Sequence, residues 1–321
     1  MSSVLVLGGT GWLGRELVRA GLSAGDDVAC LARGESGAVP PGAEFVRSDR
    51  SAPDAYAAVA DRDWDRVIEL SWDHDFAVGA LDALAERAVH WTLVSTISVY
   101  ASNSTPGADE SDPLLEPDDP DDYGKAKVAI EHASAAALGG RLLIVRPGLI
   151  AGPGDPSDRF GYWGARLALA GSDNVLSMEV QDRTAQIIDV RDLAEFAVAS
   201  GGVGILNAVG TSVPLASAIE LASTACGFSG RLVVVDDEWL LAHDVRYWAG
   251  PRSLPLWLPL EDAAMTTRSN AAYLAAGGGL RPFDETVRDV LADEVERGVD
   301  RERRAGLTRA EELQLLDEIR H

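Results

Sequence analysis

The sequence predicts an α/β protein: a doubly wound parallel sheet followed by a smaller C-terminal lobe. Three observations predict it. Short apolar runs alternate with helix-periodic segments from Val4 to Val145, the pattern of parallel βαβ units. A glycine-rich turn joins the first run to the first helix. After Pro147 the alternation loosens, and Trp and Pro become more frequent.

Taken in order, residues 4–7 form an apolar run, glycines follow, and 12–22 are amphipathic: strand, turn, helix. Residues 28–32 make a second strand, ended by Arg33 and Gly34, and Phe45-Val46 marks a third. Residues 53–60 have helical composition, and 65–70 read as the fourth strand. A helix over 77–89 carries apolar residues at helical spacing; 91–95 is the fifth strand. The Ala-rich segment 123–138 is a helix and 141–145 the sixth strand. A loop rich in Gly and Pro spans 152–156. Residues 187–190 and 191–199 look like one more strand and helix, returning to the sheet. Thr308 and Glu311 form a capping box for a final helix reaching Arg320, free to dock on its own chain or on a partner.

Composition narrows the function. The chain has 321 residues and a formal net charge of −23, which makes nucleic acid and anionic membrane surfaces poor partners. No apolar stretch approaches the roughly 20 residues that span a bilayer. The N-terminus lacks the basic stretch of a signal peptide. Two cysteines, Cys30 and Cys226, are too few for a disulfide framework, so a reducing cytoplasm is the expected compartment. The five histidines show no His-x-x-x-His pair, and no metal site is expected. Residues 108–122 carry eight carboxylates, three prolines and no basic residue, and read as a solvated loop.

The glycine turn is Gly8-Gly9-Thr10-Gly11-Trp12-Leu13-Gly14. Gly8 permits a tight turn out of the strand, Gly11 lets backbone approach a pyrophosphate, and Gly14 lets the helix pack closely on the sheet. The helix N-terminus then offers free N–H groups and the positive end of its dipole to phosphates. The fold is therefore expected to be of Rossmann type. A site for NAD carries an acid at the tip of the second strand, where it holds the ribose 2′-hydroxyl. Here that tip holds Arg33, suited to a 2′-phosphate, which favours NADP(H) over NAD(H). Glu35 is the competing ribose ligand. Asp49, after the third strand, is a candidate acceptor for the adenine amine or an ordinary strand-end carboxylate. Leu70, closing the fourth strand, completes the candidate cofactor contacts with Thr10, Trp12 and Leu13 of the turn.

Tyr123 and Lys127 stand four apart on one helix, hence on one face. A phenol near pKa ~10 is a poor acid–base at neutral pH, and a neighbouring ammonium lowers it. The tuned phenol can protonate a carbonyl oxygen or deprotonate an alcohol. Lys127 is also placed to bond a nicotinamide ribose. The third member is a hydroxyl that orients the carbonyl. Thr96 lies just past the fifth strand, where parallel sheets bind ligands, with Ser95 and Ser98 as competitors.

This set resembles the extended short-chain dehydrogenase/reductases, the NAD-dependent epimerase/dehydratase family. The residues that carry the resemblance are Gly8-x-x-Gly11-x-x-Gly14, Val94 to Tyr100, Tyr123-x-x-x-Lys127, Arg146 to Pro153 and the Ile188 to Ala194 segment, in that order. The resemblance implies catalytic roles for Thr96 (the hydroxyl four before Tyr100), Tyr123 and Lys127. It implies a dinucleotide-binding domain over residues 1–150, with 185–210 returning to it, and a substrate-binding lobe over 151–184 and 211–321. A homodimer is the usual arrangement in such a family.

Departures from the pattern bear on the reaction. Sugar-nucleotide dehydratases carry Asp-Glu after the catalytic Thr, where this chain has Ile97 and Ser98. Many sugar-nucleotide enzymes carry Asn three residues after the sixth-strand Arg, where this chain has Leu149. The chain looks closer to members that reduce small carbonyl compounds. Phe160, Tyr162, Trp163, Trp239, Tyr247, Trp248 and Trp257 suggest either an aromatic-lined cleft for an apolar or aromatic carbonyl, or a lobe core. Arg159, Arg166 and Arg183 are the candidate cationic contacts. The expected function is an NADP(H)-dependent oxidoreductase acting on a small ketone or aldehyde and its alcohol. The alternatives are an NAD-dependent sugar-nucleotide epimerase and a non-catalytic nucleotide-sensing or RNA-associated member of the fold.

Overall fold

The computed structural model describes residues 1–319. The first half of the chain forms β1 (Ser3–Leu7), α1 (Trp12–Ser23), β2 (Asp27–Ala32), β3 (Glu44–Arg47), α2 (Ala57–Ala60), β4 (Trp64–Glu69), α3 (His74–Leu84), β5 (Ala88–Val94), α4 (Tyr123–Leu138) and β6 (Leu142–Pro147). The rest runs through β7 (Leu149–Ala151), α5 (Gly161–Ala170), β8 (Val175–Met178), β9 (Thr184–Ala185), β10 (Ile187–Asp189), α6 (Val190–Ala199) and β11 (Gly204–Ala208). It closes with β12 (Val213–Pro214), α7 (Leu215–Cys226), β13 (Leu232–Val235), α8 (Asp237–Ala242), β14 (Arg246–Trp248), β15 (Ser253–Pro255), α9 (Ala271–Ala275), α10 (Phe283–Arg297) and α11 (Arg309–Glu318).

Seven strands build the central sheet in the order β11-β6-β5-β4-β1-β2-β3. Every neighbouring pair is parallel. The chain winds outward from β1 to β3 and then returns to β4 on the other side of β1. The strand order therefore reverses between β1 and β4, and a crevice opens at their C-terminal ends. Parallel strands are buried on both faces, so they read as apolar runs without alternation. Leu5, Leu7, Ala29 and Leu31 pack one layer with residues of α3 and α4. Val4, Val6, Val28 and Cys30 face the other layer, where Leu17, Val18, Ala194 and Ala197 of α1 and α6 cover them.

Three expected elements differ. The helix over 53–60 is confined to Ala57–Ala60. Ahead of it Ser48 Oγ donates to Ala55 O (2.6 Å) and Asp49 caps Ser51, so polar side chains compete with helical backbone bonds. The helix over 77–89 ends at Leu84; after a short 3₁₀ turn, Ala88 already pairs with Trp64 in the sheet. The strand near residue 187 does not rejoin the sheet. It pairs with β7 in a separate parallel ribbon, each satisfying the other's backbone, while β11 takes the edge beside β6.

The C-terminal lobe has its own core. Trp163, Leu176, Met178, Leu215, Leu240, Trp257 and Leu315 are buried in it. α11 starts at the Thr308 capping box and docks on this core through Leu315 and Leu316, so it packs on its own chain. Arg320, the expected end of that helix, lies outside the described residues. The acidic segment 108–122 is a loop with several carboxylates engaged. Glu110 accepts from Asn207 N (2.6 Å), Asp112 pairs with Arg268 (3.3 Å) and Asp118 with Lys125 (2.7 Å). Among the described residues no helix is long and apolar enough to cross a membrane.

Candidate active site

The glycine turn is built as its spacing requires. Gly8 has φ +103°, a region that favours glycine, and its N–H donates to Leu31 O (2.9 Å), tying the turn to β2. Gly11 is the N-cap of α1, with no side-chain cap and no acid in the first turn. The N–H groups of that turn are left for an incoming anion. A Cβ on Gly14 would stand 2.7 Å from Gly9 Cα, and closer still to the Gly8 carbonyl oxygen. Only glycine admits this approach of helix to turn. These features fit a dinucleotide pyrophosphate. The Trp12 indole N–H donates to Pro153 O (2.8 Å), drawing the 152–156 loop across the turn.

A cleft of about 530 Å³ opens at the crevice between β1 and β4. It gathers Gly8, Gly11, Trp12, Leu13, Gly14, Leu70, Thr96, Tyr123 and Lys127, all named from sequence. Three other candidates lie outside its lining. Thr10 is buried behind the turn, its carbonyl accepting from Arg15 Nη1 (2.7 Å). Arg33 is an exposed side chain past β2, 3.5 Å from Glu35. Asp49 Oδ1 accepts from Ser51 N (3.0 Å) and Ser51 Oγ (2.8 Å), bonds that hold its carboxyl below the usual range.

Tyr123, the candidate acid–base group, sits where helix capping puts it. Asp122 accepts from Lys125 N (2.9 Å), so α4 begins at Tyr123. The Tyr123 ring meets Trp72 edge-on, with centroids 6.2 Å apart. Thr96 is extended and caps the turn after β5; its Oγ1 donates to Ser98 Oγ (3.2 Å) and accepts from Ser98 N (3.1 Å). The Tyr123 side chain is 45% exposed, yet desolvation around its hydroxyl raises the pKa above the usual value, with Thr96 and the charge of Arg159 opposing that rise.

Lys127 departs from expectation. It does line the cleft, but its ammonium donates to three carbonyl oxygens: Val94 (2.6 Å), Ser71 (2.8 Å) and Leu70 (3.4 Å). An ammonium has three donors, and all are engaged by backbone. Burial lowers its pKa to about 8, against the opposing charges of Glu69 and Glu131. The four-residue spacing thus delivers Lys127 to the cleft floor.

Beneath the floor lies a buried polar frame. Glu131, one turn beyond Lys127, accepts from Ser95 Oγ (2.5 Å) and twice from Arg146, at 3.0 and 2.6 Å. Arg146 also donates to Tyr100 OH (3.0 Å), which donates to Asn207 Oδ1 (2.6 Å). Glu69 closes β4 and accepts from Arg50 at 2.8 and 2.5 Å. Ser95, once a competitor of Thr96, is thereby committed to the frame. An acid four residues after Lys127 was the available sequence signal for Glu131.

The cleft is also lined by Ser98, Asp155, Ser157, Arg159, Trp248 and Met265, and by the apolar Ile97, Pro147, Leu149, Ile150 and Pro156. Of the second-half aromatics, Trp248 alone lines the cleft; Phe160, Tyr162, Trp163 and Trp257 are buried in the lobe core, with Trp239 and Tyr247 packed against it. The core explanation of those residues is the correct one. Of the three candidate cations only Arg159 reaches the cleft. Arg166 is buried near Glu312 (3.5 Å), and Arg183 pairs with Asp237.

Residues 4–200 match the NAD dependent epimerase/dehydratase family. The 2'-dehydrokanamycin reductase of Streptomyces kanamyceticus is 30% identical over 299 residues, covering 87% of this chain and 82% of that protein. Two solved structures share the fold at low identity. UDP-glucose 4-epimerase from Thermotoga maritima, solved with UDP-glucose, aligns at TM-score 0.71 and 15% identity, over 92% of this chain and 99% of its own. UDP-glucose 4-epimerase from Thermus thermophilus, solved with NAD, aligns at 0.65 and 20%, over 91% and 98%.

Proposed function

The chain belongs to the NAD dependent epimerase/dehydratase family, an NAD(P)-dependent oxidoreductase of the extended short-chain type, and we propose that it is a reductase of a polar ring ketone. The observation that carries this reading is the meeting of Thr96, Tyr123 and Lys127 with the glycine turn in one cleft. The relative named for reduction of a dehydro-aminoglycoside supports the direction and a hydroxylated, amino-bearing substrate. So do Ser98, Asp155, Ser157 and Arg159 on the cleft wall, where Trp248 is the one aromatic from the second half of the chain. A formal charge of −23 favours a neutral or cationic substrate over an anionic one.

A nicotinamide dinucleotide bound along the turn supplies the hydride. Gly8, Gly11 and the first turn of α1 would hold its pyrophosphate, with Leu70 and Trp12 beside it. We assign NADP(H) as the preferred form, through Arg33, whose exposed guanidinium is free to leave Glu35 for a 2′-phosphate. Thr96 Oγ1 holds the carbonyl oxygen of the substrate. Tyr123 hands its hydroxyl proton to that oxygen as the carbon is reduced, and takes it back in the reverse direction.

The test is Trp-fluorescence titration with NADPH and NADH on wild type and Arg33→Ala, followed by NADPH oxidation with amino-sugar ring ketones. About tenfold tighter NADPH binding, lost in Arg33→Ala, is the expected result. Tyr123→Phe is expected to bind cofactor normally and lose about 10²–10⁴-fold in turnover. A protein purified with tightly held NAD, interconverting epimers without net cofactor oxidation, replaces the reductase reading with an epimerase.

A further inference from the structure

We propose that Asp155 and Arg159 form a split charge pair that recognises an amino alcohol on the substrate ring: Asp155 takes the ammonium, and Arg159 takes the oxygen of a neighbouring hydroxyl. The inference rests on the reading of the cleft as the site of a polar ring ketone.

Both side chains line the cleft, from one loop and four residues apart. They do not close on each other. Ser157 stands between them: its N–H and Oγ donate to the two carboxylate oxygens of Asp155, each at 2.8 Å, while its Oγ accepts from Arg159 Nε (3.1 Å). Among the described residues neither charge has an ion-pair partner, and the terminal nitrogens of Arg159 have no acceptor. Asp158, in the same loop, does have partners: it accepts from Arg304 N (2.8 Å) and pairs with Arg301. Asp155 is only 5% exposed. Burial raises its carboxyl above the usual range and lowers the Arg159 guanidinium below its own, so each group is ionised at a cost. The turn that Asp155 makes with Ser157 does not account for the charge, because Asn offers the same acceptor oxygen without it. A ligand ammonium supplies the missing counter-charge.

The separation is built into the loop. Gly154 N donates to Asp293 Oδ2 (2.8 Å), Arg297 Nη1 to Asp155 O (3.4 Å) and the Trp12 indole N–H to Pro153 O (2.8 Å). The Trp248 ring centroid lies 5.7 Å from the Arg159 guanidinium and limits its swing. An ammonium on a carboxylate makes a charge-assisted bond, and the free guanidinium donors suit hydroxyl oxygens. A neutral polyol therefore engages Arg159 alone, whereas an amino alcohol engages both groups. Preference for an amine over a hydroxyl at one ring carbon comes from Asp155.

The test compares two ring alcohols that differ by one amine, methyl glucosaminide and methyl glucoside. Each is titrated in the presence of NADPH at about pH 6, where the amine is protonated. Binding is read from the ¹⁵N indole signal of Trp248, one of eight tryptophans, assigned with Trp248→Phe. Wild type is expected to bind the glucosaminide about tenfold or more tightly than the glucoside. Asp155→Asn, which removes a single charge from the whole chain, is expected to abolish that preference and keep the affinity for the glucoside. Equal affinity for the two sugars in wild type, binding of neither, or a preference kept in Asp155→Asn overturns the proposal. Should Asp155→Asn fail to fold, Ser157→Ala decides: with the spacer gone the pair closes and the preference is expected to fall, whereas a preference kept in full overturns the proposal. An amine preference that follows Asp155 without reduction of any ring ketone leaves the recognition site standing and the reductase reading fallen. Ring ketones reduced with no amine preference do the reverse.

Discussion

The Lys127 ammonium exchanges water for three carbonyl oxygens, and that exchange has a pH signature. Its folded pKa is lowered from 10.5 to about 8 by burial. Between those values the unfolded chain binds the proton that the folded chain has released, so stability rises with pH across that window. Below about pH 8 both states are protonated, and the whole cost of burying the charge is present, up to about 3 kcal/mol. Lys127→Met lacks this dependence but leaves the Leu70, Ser71 and Val94 carbonyls without their donor. Urea unfolding from pH 7 to 10.5 is expected to show wild type gaining on the variant as pH rises. Parallel curves sink the assignment of a neutralised Lys127. The Tyr123 hydroxyl runs the opposite way, with burial favouring its protonated, proton-donating form.

The α1 element is anchored by an absence of side chain. Gly14 lets the first turn of the helix lie against Gly8 and Gly9, and a methyl group there meets backbone that has no rotamer to yield. Gly14→Ala is expected to cost about 1–3 kcal/mol of stability by overpacking. It also shifts the open N–H groups of the first turn, so dinucleotide affinity is expected to drop about tenfold or more. Thermal unfolding and the fluorescence titration check the two effects separately. Stability lost with affinity intact would show that the turn does not hold the pyrophosphate. The α4 element follows a related logic: Asp122 decides where the helix starts and therefore where Tyr123 points.

The whole molecule carries its acidic surplus unevenly. Arg268, buried under the acidic loop, stacks 3.8 Å from the Tyr100 ring centroid and donates to Ser102 O (2.8 Å), Asn103 Oδ1 (3.2 Å) and Asp112 (3.3 Å). One cation thus straps the 102–112 segment to the lobe beyond α8. With 51 acidic against 28 basic residues, repulsion among unpaired carboxylates outweighs exposed ion pairs, each of which contributes roughly 0–1 kcal/mol. Raising NaCl from about 0.05 to about 0.5 M is therefore expected to raise the Tm by a few degrees. A Tm that falls with salt would show that the paired surface charges dominate.

Most of the sheet domain was legible in the sequence, because what reveals it is local. Apolar runs mark strands buried on both faces, and residues three or four apart share a helix face. The glycines at 8, 11 and 14 answer to a turn formed by their immediate neighbours. Tyr123 and Lys127 reach one cleft because they sit one helical turn apart. Tertiary structure decided the rest. Which carbonyls Lys127 meets depends on the ends of β4 and β5, and the Glu131, Arg146, Tyr100 and Asn207 frame joins four separate elements. Nothing in the spacing of Trp163 or Trp257 distinguishes a lobe core from a cleft wall, and only packing placed Trp248 at the cleft. Arg159 arrives on a loop with no repeat period, set by Trp12, Asp293 and Arg301 from distant parts of the chain. Local periodicity encodes the scaffold, whereas long-range contacts bring the site's charges together.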